Sequence, residues 1–172
     1  LTLLDPTPDV RVSYLDAVAE YAAEDRSGHG LHARLVAANL ADPGAFALYC
    51  RALRSGAFDW QHTHTGHPVR VWWWCVGGTY VGEATLHPAL PPTNPGEGGE
   101  PAGHIGYQIR PSARGQDHGT RLLAAVIGEA HATGLDPVTM TVNVGNAASV
   151  AVMARVGAVE VARVGAVGVY LA

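Results

Sequence analysis

His104-Ile-Gly-Tyr-Gln-Ile-Arg-Pro-Ser-Ala-Arg-Gly-Gln-Asp-His-Gly-Thr-Arg-Leu-Leu123 reads as a strand, a polar turn and a helix in direct succession. Ile105, Tyr107 and Ile109 alternate with His104, Gly106 and Gln108, which gives a strand with one apolar face. Pro111 has no amide hydrogen and ends the ladder. Residues 114–119 form the turn. From Thr120 on, Leu122, Leu123, Val126 and Ile127 recur at helical spacing. A helix that follows a glycine-containing turn presents unpaired N–H groups and the positive end of its dipole, a ready place for phosphate. Arg114 adds a fixed cation whose planar fork suits phosphate oxygens.

On the N-terminal side of this stretch, residues 1–4 fit a short strand, and Asp5-Pro6-Thr7-Pro8 opens a helix to about Glu24. Val12, Leu15, Val18, Ala19 and Ala22 are its expected buried stripe. Residues 31–40 fit a short helix. Asp42-Pro43 starts another, with Phe46, Tyr49, Cys50 and Leu53 on one face, ending near Gly56. His62, His64 and His67 sit in a stretch without periodicity, which a solvated loop explains better than a metal site lacking an acidic ligand. Residues 69–76 are a strand in which Trp72 and Trp74 point one way and Trp73 the other, so both faces need cover. An aromatic platform for a base or sugar is the alternative. Gly77-Gly78 is a two-residue hairpin turn, and Thr79 to Leu86 returns antiparallel with Glu83 near its middle. The Pro/Gly-rich run 88–101, with Glu97 and Glu100, is long for a connection and reads as a lid or an unstructured loop.

On the C-terminal side, Gly134-Leu-Asp-Pro137 stops the helix and residues 138–142 form a strand. A helical crossover joins it to 104–109, so the two are expected to be parallel. Asn146-Ala-Ala-Ser149 opens a short helix with Val150, Met153 and Val156 inward, closed by Gly157. Residues 158–164 and 166–172 form a hairpin around Gly165.

Composition narrows the function. A chain of 172 residues with 48% hydrophobic content holds one full core, so 1–172 is expected to be a single domain. The formal charge of −4 argues against nucleic-acid binding, which needs a basic face. All eleven basic residues are Arg, so no Lys is available for a Schiff base or a Walker-type loop. Two cysteines make no disulfide framework and no metal set, and a reducing cytoplasm is the default expectation. No apolar run approaches the roughly 20 residues that span a bilayer, and the N-terminus lacks a signal pattern.

The 104–123 stretch resembles motif A of the Gcn5-related N-acetyltransferases, the GNAT superfamily. That pattern is Arg/Gln-x-x-Gly-x-Gly/Ala after a strand ending in an aliphatic residue, any residue and Pro. Ile109, Arg110 and Pro111 close the strand, Arg114 and Gly119 fill the outer positions, and Asp117 stands at the middle glycine. The His-Ile-Gly-Tyr opening is similar to one branch of predicted acetyltransferases. The strand, Asn146, short helix, Gly157 and return strand resemble motif B, and the likeness runs in order over 69–172. It implies an α/β fold with a mixed, mostly antiparallel twisted sheet, a parallel pair at 104–109 and 138–142, and helices on both faces.

The resemblance also implies acetyl-CoA as co-substrate and an amine of a small molecule or peptide as acceptor, with homodimerisation left open. Cofactor contacts are expected from Ile109, whose strand edge would pair with the pantetheine amides, and from Arg114, Gly115, Gln116, Asp117, His118, Gly119 and Thr120 around the pyrophosphate. Asn146 and Ser149 would meet the pantetheine arm. Asp117 either repels phosphate or caps the helix through the amides two or three residues on. The family's usual acid is a motif B Tyr; its position here is Met153, which cannot donate a proton. Candidate bases are Glu83, His104 and Tyr107. Glu83 lies where the family often places a carboxylate, although an exposed strand Glu is the plain alternative. His104 has the suitable pKa class, and Tyr107 sits on the apolar face. The rival functions are an acyl-CoA-binding domain without turnover and a nucleotide-binding module, the latter lacking any Gly-x-x-x-x-Gly-Lys or Gly-x-Gly-x-x-Gly.

Overall fold

The computed structural model describes residues 2–24, 39–56, 69–90 and 101–172. The expected helix at 31–40, all but its last two residues, the three histidines at 62–67 and the loop acids Glu97 and Glu100 lie outside them.

Among the described residues, seven strands and four helices make up an α/β chain, as expected. They are β1 (Thr2–Leu4), α1 (Arg11–Ala23), α2 (Pro43–Arg54), β2 (Arg70–Val76), β3 (Thr79–Leu86), β4 (Ile105–Ile109), α3 (His118–Ala132), β5 (Thr139–Asn143), α4 (Ala147–Arg155), β6 (Val159–Val164) and β7 (Val167–Leu171). β1 to β4 form one antiparallel sheet in sequence order, and the second sheet runs β5-β7-β6, also antiparallel. The expected parallel ladder between 104–109 and 138–142 is not formed. The two segments meet instead at their starts, where the His104 N–H donates to the Thr139 carbonyl at 2.7 Å. Beyond that bond both strands line an open cleft. The ladder hydrogen bonds of β4 go to β3 and those of β5 to β7.

The alternating tryptophans divide the core as their parity requires. Trp72 and Trp74 join Leu122, Leu123, Val126, Met140 and Met153 beneath α3 and α4. Trp73, fully buried, joins Tyr14, Phe46, Tyr49 and Tyr80 beneath α1 and α2. Helices therefore cover both faces of the sheet. Caps set where the 3-10 turn ahead of α1 begins and where α2 begins. Thr7 accepts the Asp9 N–H ahead of a 3-10 turn at Pro8–Val10, and Asp42 accepts the Ala45 N–H at 2.8 Å. The buried face of α1 differs from the expected stripe: Tyr14, Ala17, Val18 and Tyr21 point inward, while Val12 is 68% exposed. The reason is aromatic packing. Tyr14 stacks on Trp73 with ring centroids 4.9 Å apart and meets Tyr80 edge-on at 4.9 Å. Such rings bury more apolar area than the aliphatic stripe would.

Two glycine positions carry the local geometry. Gly77 and Gly78 both have positive φ (56° and 78°), as a tight twisted hairpin turn needs. At Gly82 a Cβ would lie 2.4 Å from the Gln108 carbonyl oxygen, so β3 and β4 approach more closely there than any side chain permits.

Candidate functional site

The space between β4 and β5 is a cleft of about 1260 Å³. Its walls include Tyr107, Gln108 and Ile109 of β4, residues 114–120, Thr141 to Asn143, and Asn146, Ser149 and Met153 around α4.

One wall is made of backbone. A 3-10 turn at Pro111–Ala113 leads into the loop, where Gly115 (φ 75°) and Asp117 (φ 63°) are both left-handed. Asp117 is the only non-glycine residue with positive φ among those described. Asp tolerates this region better than most residues, and a glycine would adopt it freely. The first intrahelical bond of α3 runs from the Arg121 N–H to the Asp117 carbonyl, so the N–H groups of His118, Gly119 and Thr120 have no partner inside the helix. Asp117 holds the N-cap position but its carboxylate makes no capping bond. The expectation of a side-chain cap is therefore corrected: at φ 63° the carboxylate is turned from those amides toward Arg121 (3.5 Å) and Arg155 (3.6 Å). Two cations thus flank the carboxylate beside the loop amides.

Gly119 sits against the Tyr107 ring, with a Cβ there 3.6 Å from the ring and 3.4 Å from Val152. Two buried polar atoms on this wall, the Tyr107 hydroxyl and Thr120 Oγ1, make no hydrogen bond of full geometry, although Ser149 neighbours the first and Asp117 the second. Free amides, buried hydroxyls and a wide cleft fit a long ligand with a pyrophosphate, as acetyl-CoA has.

Arg114 is less available than its motif position implies. Its Nε donates to the Ile109 carbonyl at 3.1 Å and one terminal nitrogen to both Glu24 oxygens at 2.8 and 2.9 Å. Beside it, Arg110 pairs with Glu20, which also accepts the Ser112 N–H at 3.0 Å and hydroxyl at 2.9 Å. Arg110 holds the Glu20 carboxyl down at about 2. The end of α1 is therefore bound to the loop by two acid–arginine contacts. Neither acid was singled out from sequence, because each partner is ninety residues away. Trp74 Nε1 donates to His118 Nδ1 at 3.3 Å. Asn146 caps α4, its Oδ1 accepting the Ser149 N–H at 3.1 Å. Its Nδ2 group makes no hydrogen bond to another described residue and is available to a ligand.

The other wall is made of side chains. The ladder places Trp73, Glu83 and Gln108 in one row across β2, β3 and β4, on the face beneath α1 and α2. Gln108 Nε2 donates to Glu83 Oε1 at 2.6 Å, while Gln108 Oε1 is buried without a partner. Glu83 is half-buried. Burial pushes its carboxyl up, against the polar groups of Gln108, Tyr80 and Trp73, which pull the other way. Gln108 lines the cleft and Glu83 does not. Sequence reasoning passed over Gln108, although its parity opposite Tyr107 and its place beside Glu83 follow once the register is known.

His104 is not on the cleft wall. It is 8% exposed, and its Nδ1 accepts the Thr139 N–H at 2.9 Å. Burial, with His87 nearby, pushes its pKa down. Burial raises that of Tyr107. The structure thus brings Tyr107, Ile109, residues 114–120, Asn146 and Ser149 to one cleft, with Glu83 one residue behind it and His104 at its closed end. Among the described residues no group of three His, Cys, Asp or Glu side chains could hold a metal ion. No helix there is long and apolar enough to cross a membrane.

Comparison with known proteins agrees with this geometry. The sequence model of a family described as acetyltransferase (GNAT) domain matches residues 15–159. No curated protein sequence matches. Among solved structures, the chain is similar to the ribosomal L7/L12 alpha-N-protein acetyltransferase RimL in complex with coenzyme A, with 14% identity, 99% of this chain and 92% of that one covered, and a TM-score of 0.63. It is also similar to the microcin C7 self-immunity acetyltransferase MccE in complex with acetyl-CoA and AMP (11% identity, 99% and 91% covered, TM-score 0.59). A third is the ribosomal-protein-alanine N-acetyltransferase from Brucella melitensis (21% identity, 99% and 97% covered, TM-score 0.57). At these identities the likeness shows the fold.

Proposed function

This chain belongs to the GNAT acetyltransferase family, whose acyl donor is acetyl-CoA, and from that premise we propose that it moves an acetyl group onto an amine of a small molecule or a peptide. The observation that carries the reading is the backbone wall: uncapped amides at the start of α3 and two left-handed loop residues, beside the buried Tyr107 and Thr120 hydroxyls, all on residues that line one cleft. Acetyl-CoA brings an acyl group already activated as a thioester. The chain's own task is to hold that donor, orient the amine and manage protons.

The loop amides and the dipole of α3 bind the pyrophosphate, with Arg121 and Arg155 nearby. Arg114 acts chiefly by fixing the loop to α1. Asn146 offers its Nδ2 to the pantetheine arm, with Ser149 beside it. Tyr107 keeps its proton at neutral pH because burial disfavours the phenolate, which suits a hydrogen-bond donor and not a base. His104 joins β4 to β5, and its Nδ1 already accepts a backbone hydrogen. The amine then enters on the other wall, beside Gln108.

A lysine-like amine of pKa about 10.4 is protonated in all but roughly one molecule in 2,500 at pH 7, which adds about 4.6 kcal/mol to the barrier. Amines of lower pKa avoid most of that cost. The test is CoA release from acetyl-CoA with a panel of amines of graded pKa, with product masses recorded. Amine-dependent release with an acetylated product is expected. Tight acetyl-CoA binding with no turnover on any amine would overturn the proposal and leave an acyl-CoA-binding domain.

A further inference from the structure

We propose that Gln108 receives the acceptor amine through its Oε1, and that Glu83 is a positioning residue that holds the Gln108 carboxamide in the one orientation able to do so. This rests on the acetyl-transfer reading above and assigns the acceptor side of the same site.

Four observations carry it. Gln108 is among the residues that line the cleft and Glu83, its neighbour in the ladder, is not. The other residue that β4 places on that face is Gly106, which has no side chain, so Gln108 is the sole polar side chain β4 offers there. Its Nε2 is held by Glu83 at 2.6 Å. Nε2 is the donor in that bond and the Glu83 oxygen the acceptor, so the amide turns its N–H group toward Glu83. Its Oε1 is consequently directed elsewhere, and it is buried without a hydrogen-bond donor. A buried acceptor without a donor is costly and uncommon in a folded chain. An amine N–H is a donor of the kind that atom lacks.

The chemistry favours that use. As the amine nitrogen bonds to the acyl carbon, its hydrogens become more acidic, so a bond from N–H to Oε1 strengthens toward the transition state. In the overall step a C–N bond forms and the C–S bond breaks. One amine proton is lost, and the sulfur leaves with a proton as the free thiol. A neutral primary amine has two hydrogens, and the one kept in the product amide is the one Gln108 holds throughout. A neutral secondary amine has a single hydrogen, which is lost. The site therefore selects primary amines.

The experiment uses the full chain with acetyl-CoA and a primary amine paired with its N-methyl derivative, glycinamide and N-methylglycinamide being the first pair. Gln108→Leu should lower kcat/KM for the primary amine about 100-fold, the scale of a misplaced reactant, and the preference for primary over secondary amine should shrink to about threefold. Glu83→Leu should do the same, since the amide is then free to turn. Glu83→Gln still offers a carbonyl to Nε2, so rate and preference should stay within about tenfold of wild type. Acetyl-CoA affinity should be unchanged in all three, which reports an intact fold.

Loss of 10²–10⁴-fold in Glu83→Gln, the scale of a missing general base, with Gln108→Leu keeping rate and preference, would overturn the proposal and make Glu83 the base. Wild-type protein that turns over no amine would overturn the acetyl-transfer reading itself.

Discussion

The two walls of the cleft are built from different material. The loop and the start of α3 present backbone: uncapped amides, a helix dipole and left-handed turns at Gly115 and Asp117. The opposite wall presents a side chain, Gln108, at the end of a row that runs from Trp73 through Glu83 behind it. A backbone site tolerates side-chain change so long as the chain keeps its path, which is how Asp117 can stand in a glycine position. A side-chain site depends on the register of three strands and on the packing behind it. The two walls should therefore fail in different ways.

The largest difference is expected at Trp73. It is fully buried between Tyr14, Phe46 and Tyr80 and supports the face that carries Glu83. Trp73→Ala should cost about 3–5 kcal/mol of stability, read as a lower urea midpoint at unchanged slope. Acetyl-CoA should still bind whatever fraction remains folded, because the start of α3 packs at Gly119 against Tyr107 and Val152, which pack on the other core cluster. Loss of binding in the folded fraction would mean that the walls are not separable.

A smaller effect is expected where α1 is bound to the loop. Glu20 has a carboxyl pKa of about 2 when folded, against an ordinary 4.5. A depressed carboxyl stabilises the fold above its ordinary pKa and loses that contribution as pH falls from about 4.5 to about 2. Glu20 is partly exposed (27%), so solvent screening holds the contribution to the order of 1 kcal/mol. Glu20→Gln should be less stable than wild type at pH 6, and the gap should close on titration toward pH 2. A gap independent of pH would show that the carboxylate's charge contributes nothing.

Asp117→Gly should change least. Glycine relieves the left-handed backbone at φ 63°, and the loss of two exposed ion pairs costs little. Stability should move by under about 1 kcal/mol. Arg121 and Arg155 would be freed toward phosphate, so acetyl-CoA affinity should rise, by less than about tenfold (1.4 kcal/mol). A fall in affinity would show that Asp117 helps to hold the cofactor.

The same contrast explains how much could be read without coordinates. Local patterns announce the backbone wall: the 105–109 alternation, Pro111, the glycines and the periodic Leu122 to Ile127 are all short-range signals. The Gly77-Gly78 turn and the split of Trp73 from Trp72 and Trp74 are equally local. What stayed hidden is long-range. Glu20 and Glu24 reach partners ninety residues on. The row from Trp73 to Gln108 needs a register that includes a bulge at Trp74/Cys75. The inward turn of Tyr14 is decided by aromatic partners on β2 and β3. The parallel ladder failed to form because β4 and β5 make their ladder bonds within separate sheets.

The central claim is that the backbone at the start of α3 holds the phosphates of acetyl-CoA. Calorimetric titration of wild type and Gly119→Glu with acetyl-CoA tests it most directly. The substitution puts a carboxylate among the amides that would face phosphate, in a place where a Cβ alone meets only ordinary contacts. Wild type should bind and gain about 2.7 kcal/mol of stability at 100 times the dissociation constant. Gly119→Glu should stay folded and bind at least about 100-fold more weakly, about 2.7 kcal/mol. Equal affinity in the two proteins, or no heat with wild type, would contradict the claim.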